Sequence, residues 1–236
     1  MMISIFPIPA LADNYIWVLA KGQKAVIVDP GESQPVSDFL AKYRLEPTAC
    51  LLTHNHNDHT GGVLALRKNY PQLKVFGPQE VAAFATEIVY PTQQFSLLDL
   101  PIEVIESGGH TEGHLSYLVD QRYLFCGDAL FCGGCGRVFT QDYAAQFAAL
   151  QRFAALDDEV AVYPAHEYTQ SNLKFAEAVL PPSCVLMEYQ ERADMLRAQN
   201  RSTLPTTIGV EKQINPFLKA QTLAEFTRLR KQKDNF

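Results

Sequence analysis

The stretch THNHNDHTGG, residues 53–62, gathers His54, His56, Asp58 and His59 within six positions. The whole chain has six histidines in 236 residues, so half of them fall in this one segment. An ordinary surface loop has no need of such crowding. Imidazoles and a carboxylate that grip a metal ion together do.

The remaining histidines extend the pattern. His110 and His114 lie in SGGHTEGHLSY, and His166 lies in YPAHEY. TACLLT leads into His54, IEVIES into His110, YLFCG into Asp128 and EVAVYPA into His166. Each of these residues follows an apolar, strand-like run by a few positions. In α/β architectures the loops beyond the carboxyl ends of strands gather functional groups. Four such loops at one rim would bring distant histidines together. A lone histidine at a strand end is ordinarily a satisfied polar residue. It is the H-x-H-x-D-H spacing, joined to three later strand-end residues, that points to metal.

Neutral imidazoles with a few carboxylates suit zinc, iron or manganese better than calcium or magnesium. His54, His56 and His110 are read as holders of one ion, and Asp58, His59 and His166 as holders of a second. Asp128, with two oxygens, could bridge them. This set leaves positions for water, the mark of a catalytic site rather than a closed structural one. Two metals roughly 3.5–4 Å apart can share a hydroxide and polarise a carbonyl. His114 follows the GGHT turn and is expected to orient a ligand rather than to bind metal itself.

The first two-thirds of the chain alternates short apolar runs with Gly, Pro and Asp turns. ISIF, YIWVLA, AVIVD, TACLLT, LKVFG, IEVIES, LSYLV, YLFC and EVAVY predict strands from their β-branched and aromatic content. Helices are expected through SDFLAKY, with Pro35 near its start, and through GGVLALRKNY, PQEVAAFA and YAAQFAALQRFAAL. After about residue 167 the texture turns helical, in SNLKFAEAVL, LMEYQERADMLRAQN and TLAEFTRLRKQK, with PPS at 181–183 as a break. Many strands with few long helices between them predict a sandwich of sheets rather than a Rossmann alternation. The expected organisation is an α/β catalytic domain over 1–167 and a small helical subdomain over 168–236.

Composition narrows the function classes. Apolar residues make up 47% and charged residues 19%, which suits a globular chain. No apolar run reaches the roughly 18–20 residues of a membrane span, and MMISIFPIPALADNY lacks the basic and long apolar regions of a signal peptide. A cytoplasmic protein without a membrane partner is expected. The formal net charge of −6 argues against nucleic-acid binding. Five cysteines without framework spacing are read as free thiols. CGGC at 132–135 lacks the βαβ context of a redox pair and a second cysteine pair for zinc, so it reads as a Gly-rich loop. Asp29 in VDPG reads as a turn residue, with an orienting role open to it. RLRKQK, taken by charge alone, reads as a solvated helix face.

THNHNDHTGG, GGHTEGH, CGDALF and PAHEYT, in this order, resemble the metal-binding motifs of the metallo-β-lactamase superfamily. DNYIWVL, GDALFCGGCGR, HEYTQSNLKFA, INPF and the closing RLRKQKDNF are similar to the hydroxyacylglutathione hydrolase (glyoxalase II) family, over nearly the whole chain. The resemblance implies a metallo-β-lactamase-like αββα sandwich with a helical C-terminal subdomain. It implies hydrolysis of S-(2-hydroxyacyl)glutathione thioesters, chiefly S-D-lactoylglutathione to glutathione and D-lactate, as in methylglyoxal detoxification. Two divalent ions per chain are implied, zinc first, with iron and manganese open. The metal ligands it implies are His54, His56, Asp58, His59, His110, Asp128 and His166. It places glutathione contacts at Arg137, Tyr168, Arg230 and Lys233, which overrides the solvated reading of the C-terminal basic run and gives the helical segment a share of the pocket.

Three stretches depart from the family pattern. HNHND carries asparagines where many relatives have a further histidine, SGGHT replaces PGHT, and VFTQDYA replaces an FEG-like stretch. Phe139 stands near a position where some members carry a glutathione-contacting tyrosine.

The mechanism expected is attack of a metal-bridging hydroxide on the thioester carbonyl, with Asp58 and Asp128 at the reacting centre and a thiolate as leaving group. Another hydrolase of the superfamily, or a mononuclear-iron glutathione persulfide dioxygenase, shares the first motif. The set of second-site ligands and the helical C-terminus weigh against the dioxygenase. A non-catalytic metal-binding module would call for a coordinatively closed site. A monomer is expected.

Overall fold

The computed structural model describes residues 3–236, so Met1 and Met2 of the opening stretch lie outside the described residues. The chain divides into two compact units. One runs up to Glu106 and includes Gly113–Gln121; the other holds Ser107–Glu112 and Arg122–Phe236.

The first unit is built on strands β1 (Ile3–Ala10), β2 (Asn14–Lys21), β3 (Lys24–Val28), β4 (Glu46–Leu51), β5 (Lys74–Gly77) and β6 (Glu87–Ile88), which form a sheet in that order. β1, β2 and β3 pair antiparallel; β3 to β6 pair parallel. Parallel neighbours need crossovers. Helix α1 (Ser33–Tyr43) supplies one between β3 and β4, and α2 (Asn57–Thr60) with α3 (Val63–Asn69) supplies the next. Val36 and Leu40 of α1 and Val63 and Leu66 of α3 pack with Ile16, Val18, Ile27, Cys50 and Val75 on one face of the sheet. Trp17, Leu19, Val26 and Leu51 alternate with these and are buried as well. A sheet covered on both faces reads as continuous apolar runs, which is why YIWVLA and AVIV show no polar alternation. Burying one such side chain stabilises the fold by about 1.5–3 kcal/mol. Strands β7 (Gln94–Leu97), β8 (Leu100–Glu106) and β9 (Leu115–Val119) form an antiparallel ladder in the same unit. Tyr117 of β9 donates its hydroxyl to the Leu52 carbonyl at 2.7 Å, tying this ladder to the end of β4.

The second unit holds β10 (Tyr123–Gly127) parallel to β11 (Ala161–Pro164), with β12 (Thr206–Thr207) antiparallel to β11. Helix α4 (Tyr143–Ala154) makes the crossover between β10 and β11, and Asp142 caps it by accepting the Ala145 amide at 2.9 Å. Helices α5 (Thr169–Val179), α6 (Cys184–Ala198), α7 (Ile208–Ile214), α8 (Pro216–Lys219) and α9 (Leu223–Asp234) follow. Pro181 and Pro182 separate α5 from α6, since proline cannot continue a helix. Phe175 stacks on Phe217 at 5.8 Å, Phe217 meets Phe226 at 6.0 Å, and Phe226 meets Phe147 of α4 at 5.7 Å. This aromatic chain packs the C-terminal helices against α4 within one core.

Each strand expected from the sequence forms. β6 and β12, two residues each, and the polar β7 were not anticipated. One helix expectation is corrected. PQEVAAFA holds only a single 3₁₀ turn, Gln79–Val81. The chain must leave β5 at Gly77 and enter the neighbouring β6 at Glu87, which leaves room for a tight turn and not for a helix.

Candidate metal centre

In the first unit the site is set by the parallel register of β3 and β4. Val28 stands opposite Leu51, so Asp29 and the Leu52–Thr53–His54 run emerge side by side at the carboxyl ends. Asp29 is buried, with φ of 50°. Its Oδ1 accepts the Thr53 amide at 2.8 Å; its Oδ2 accepts the Thr53 hydroxyl at 2.7 Å and faces His59 Nδ1 at 3.0 Å. A ring that donates through Nδ1 presents a lone pair at Nε2. His59 Nε2 lies 3.5 Å from Asp58 Oδ2. The Thr53 oxygen, its proton given to Asp29, stands 2.9 Å from His54 Nδ1 and fixes that ring in the same tautomer. His54 Nε2 and His56 Nδ1 are 3.0 Å apart.

Asp58 is held from outside the motif. Asn14 Nδ2 donates to its Oδ2 at 3.1 Å. The DPG turn runs directly beneath it. A Cβ on Gly31 would stand 1.9 Å from the Asp58 carbonyl oxygen, so only glycine fits there. Glu80 closes the loop by accepting the Asn55 amide at 3.0 Å and the Gly113 amide at 2.8 Å. His114 stacks on His54 with ring centroids 4.8 Å apart. The segment thus brings His54, His56, Asp58 and His59 to one spot, with His114 packed behind.

The later residues lie in the second unit. Asp128 follows β10 immediately, His166 follows β11, and His110 stands in the loop after β8; all three are buried. His110 Nε2 lies 3.3 Å from Asp128 Oδ2, and His166 Nε2 lies 3.3 Å from Asp128 Oδ1. His110 Nδ1 donates to the Arg137 carbonyl at 2.9 Å, so its Nε2 also carries a lone pair. Two imidazole nitrogens thus face one carboxylate, each on its own oxygen. Donors of this kind fit borderline divalent cations such as zinc, iron or manganese.

Of the remaining candidates Tyr168 and Arg137 touch this second group, and Arg230 is tied to Arg137 through Asp234. Tyr168 stacks on His166 at 4.7 Å, nearly parallel at 7°. Phe139, 57% exposed, meets the His110 ring at 5.3 Å, and the Arg137 guanidinium lies 5.9 Å over Phe139. Arg137 Nε and Arg230 Nη2 share Asp234 Oδ1, at 3.3 and 3.0 Å. Arg230 is buried; it also donates to the Cys135 carbonyl at 2.7 Å and covers Phe217. Lys233 donates to the Ser171 carbonyl at 2.9 Å and lies 5.3 Å from the Phe175 and Phe236 rings. Burial, and next the Arg230 charge, push its pKa down. Within the C-terminal basic run Arg230 is buried and Lys233 half-buried while Arg228 and Lys231 stay exposed, so the solvated reading from charge alone is corrected for Arg230 and Lys233.

All the cysteines are free thiols. Burial pushes Cys135 up to about 11 and raises Cys132 well above its usual value, so neither forms a thiolate readily. Asn14 and Glu80 were not read as site residues from the sequence. The only signals were an asparagine in DNY and a glutamate in a loop, and neither residue lies near the histidines along the chain.

Residues 11–166 match the family model of the metallo-beta-lactamase superfamily, and residues 167–236 match the model described as hydroxyacylglutathione hydrolase C-terminus. The chain is 66% identical over 235 residues to the protein named hydroxyacylglutathione hydrolase of Glaesserella parasuis serovar 5, covering all of both chains. Among solved structures it is similar to ETHE1 from Myxococcus xanthus, with a TM-score of 0.73 and 25% identity over 98% of this chain and 90% of that one. It is also similar to TTHA1623 in a di-iron-bound form, with a TM-score of 0.64 and 25% identity over 90% of this chain and 99% of that one.

Proposed function

Because the chain belongs to the hydroxyacylglutathione hydrolase family of the metallo-β-lactamase superfamily, we propose that it hydrolyses S-(2-hydroxyacyl)glutathione thioesters, chiefly S-D-lactoylglutathione, to glutathione and D-lactate. The observation that carries the site reading is the Asp128 carboxylate, one oxygen toward His110 and the other toward His166 at 3.3 Å each. A carboxylate in this pose can bridge two cations.

His54, His56 and His110 would hold one ion and Asp58, His59 and His166 the other, with Asp128 common to both. The ions, zinc first, would supply a lowered pKa for water and a polarising charge for the thioester carbonyl. Asp58, oriented by Asn14, would hydrogen-bond the attacking water as well as hold its ion. Asp29 and the Arg137 carbonyl keep the His59 and His110 rings donating through Nδ1, with Nε2 facing the site. Addition of water to the carbonyl is followed by cleavage of the C–S bond. The thiolate leaves without a strong acid, because thiols ionise readily.

Arg137, Tyr168, Arg230 and Lys233 would bind the glutathione part. Its two carboxylates suit charge-assisted bonds to arginine and lysine. Under this reading 1–167 is the catalytic domain and 168–236 the substrate-binding subdomain, in a cytoplasmic monomer with neither nucleic-acid nor membrane partner. No helix among the described residues is long and apolar enough to cross a membrane.

The test is turnover of S-D-lactoylglutathione with metals counted on the same sample. Rapid hydrolysis with about two metals per chain is expected. A full metal complement without hydrolysis would overturn the substrate. Full activity in metal-stripped protein would overturn the centre.

A further inference from the structure

Gln146 lies on the inner face of α4 with no exposure to solvent. Its Nε2 donates to the Ala129 carbonyl at 2.7 Å, one residue past Asp128. Its other side backs onto Gly109, one residue before His110. A Cβ on Gly109 would stand 2.5 Å from Cβ and 2.6 Å from Oε1 of Gln146, and Gly109 has φ of 128°. Glycine alone lets this loop lie against the helix. Thr140, just ahead of α4, grips the same loop by donating its hydroxyl to the Gly109 carbonyl at 2.6 Å. The Asp142 amide donates in turn to Thr140 Oγ1 at 3.1 Å.

The Gln146 amide is only half used. Its Oε1 is buried and has no hydrogen-bond partner among the described residues. Burying an unsatisfied amide oxygen weakens a fold, and an apolar side chain of similar size would avoid that loss. What the amide provides in return is its donor on Ala129. That bond fixes the turn carrying Asp128, while the body of the same side chain sets the depth of the loop carrying His110.

We propose that Gln146 is a positioning residue, a single helical side chain that clamps the Asp128 and His110 loops and sets the spacing between their ligand atoms. The inference rests on the reading of His110 and Asp128 as metal ligands. Outer groups that orient metal ligands typically change metal affinity or activity by about 10–100-fold when removed.

The experiment uses the full chain and Gln146→Met, which keeps length and apolar bulk and loses the donor. Zinc affinity is measured by competition with a chelator, the melting temperature on the metal-free form, and kcat and KM on the reloaded form. The expected result is zinc bound at least about tenfold more weakly, with a metal-free melting temperature close to the parent's, because removing the unsatisfied Oε1 offsets the loss of the donor on the Ala129 carbonyl. The kcat should fall with little change in KM. Zinc affinity within about twofold of the parent's would overturn the proposal, whatever the melting temperature does. If Gln146→Met does not fold, Gln146→Leu decides by the same readings, since leucine keeps apolar bulk and has no group to donate to Ala129. A parent protein that binds no zinc would sink the ligand reading itself. A parent that binds it, beside a variant that binds equally, would sink only the role of Gln146.

Discussion

Asp29 Oδ2 and His59 Nδ1 lie 3.0 Å apart in full burial, and the same oxygen accepts the Thr53 hydroxyl. One carboxylate therefore sets the tautomer of His59 directly and of His54 through Thr53. Asp29→Asn keeps the shape, and asparagine tolerates the φ of 50° at this position. Its amide would donate toward His59 Nδ1 and move the ring proton to Nε2. Metal affinity should fall about tenfold or more, with the fold retained. Equilibrium dialysis against zinc checks this; an unchanged affinity would show that the tautomer is set elsewhere.

Asp128 offers one oxygen to each of two rings. Asp128→Asn turns one of those acceptors into a donor facing an imidazole lone pair, and Asp128→Ala removes both. Either change should cut the bound metal below two ions per chain and abolish thioester hydrolysis. His54→Ala should do the same. Metal analysis and turnover on one preparation decide it, and the idea fails if Asp128→Ala retains two metals and wild-type kcat.

Much of this arrangement is legible in the chain because metal chemistry demands particular side chains at strand ends. H-x-H-x-D-H and the strands before His110, Asp128 and His166 mark the donors, and long apolar runs mark the buried strands. The supports are different. Asn14, Glu80 and Gln146 are single polar residues far along the chain from the residues they hold, and any of them would pass for an ordinary surface residue. Only the folded register brings Asn14 to Asp58, Glu80 to Asn55 and Gly113, and Gln146 to Ala129. Short strands such as β6 and β12 leave no periodicity to read. The PQEVAAFA helix failed for the converse reason, since local propensity yielded to the short span between β5 and β6.

Arg230 and Lys233 should separate by experiment although they lie on one helix. Arg230 is buried, bonded to the Cys135 carbonyl and Asp234, and stacked on Phe217. Arg230→Ala should therefore lower stability by about 2–3 kcal/mol as well as raise KM. Lys233 is half-buried and makes one bond to a backbone carbonyl. Lys233→Ala should raise KM by about tenfold with kcat nearly unchanged. Kinetics and urea melts on both variants test the distinction, and a Lys233→Ala variant that lost kcat alone would contradict a binding role.

Glu211 is the group whose titration the fold should register. It is buried and accepts bonds from Thr206, Asn215 and the Gly133 amide, yet burial still pushes its pKa up from 4.5 to about 7. Below about pH 4.5 it is protonated in both the folded and the unfolded chain and has no effect on the balance. Between 4.5 and 7 the unfolded chain releases this proton while the folded chain keeps it. Stability therefore falls as the pH rises through that window, by about 3 kcal/mol in all, and the loss is complete above 7. Glu211→Gln removes the titration. Its amide can accept from Gly133 and Asn215 and donate to the Thr206 hydroxyl, which is able to accept. The variant should match the wild type in stability near pH 5 and exceed it near pH 8. Urea unfolding of both proteins across that range measures the difference directly, and parallel pH profiles would mean that Glu211 ionises freely in the folded state.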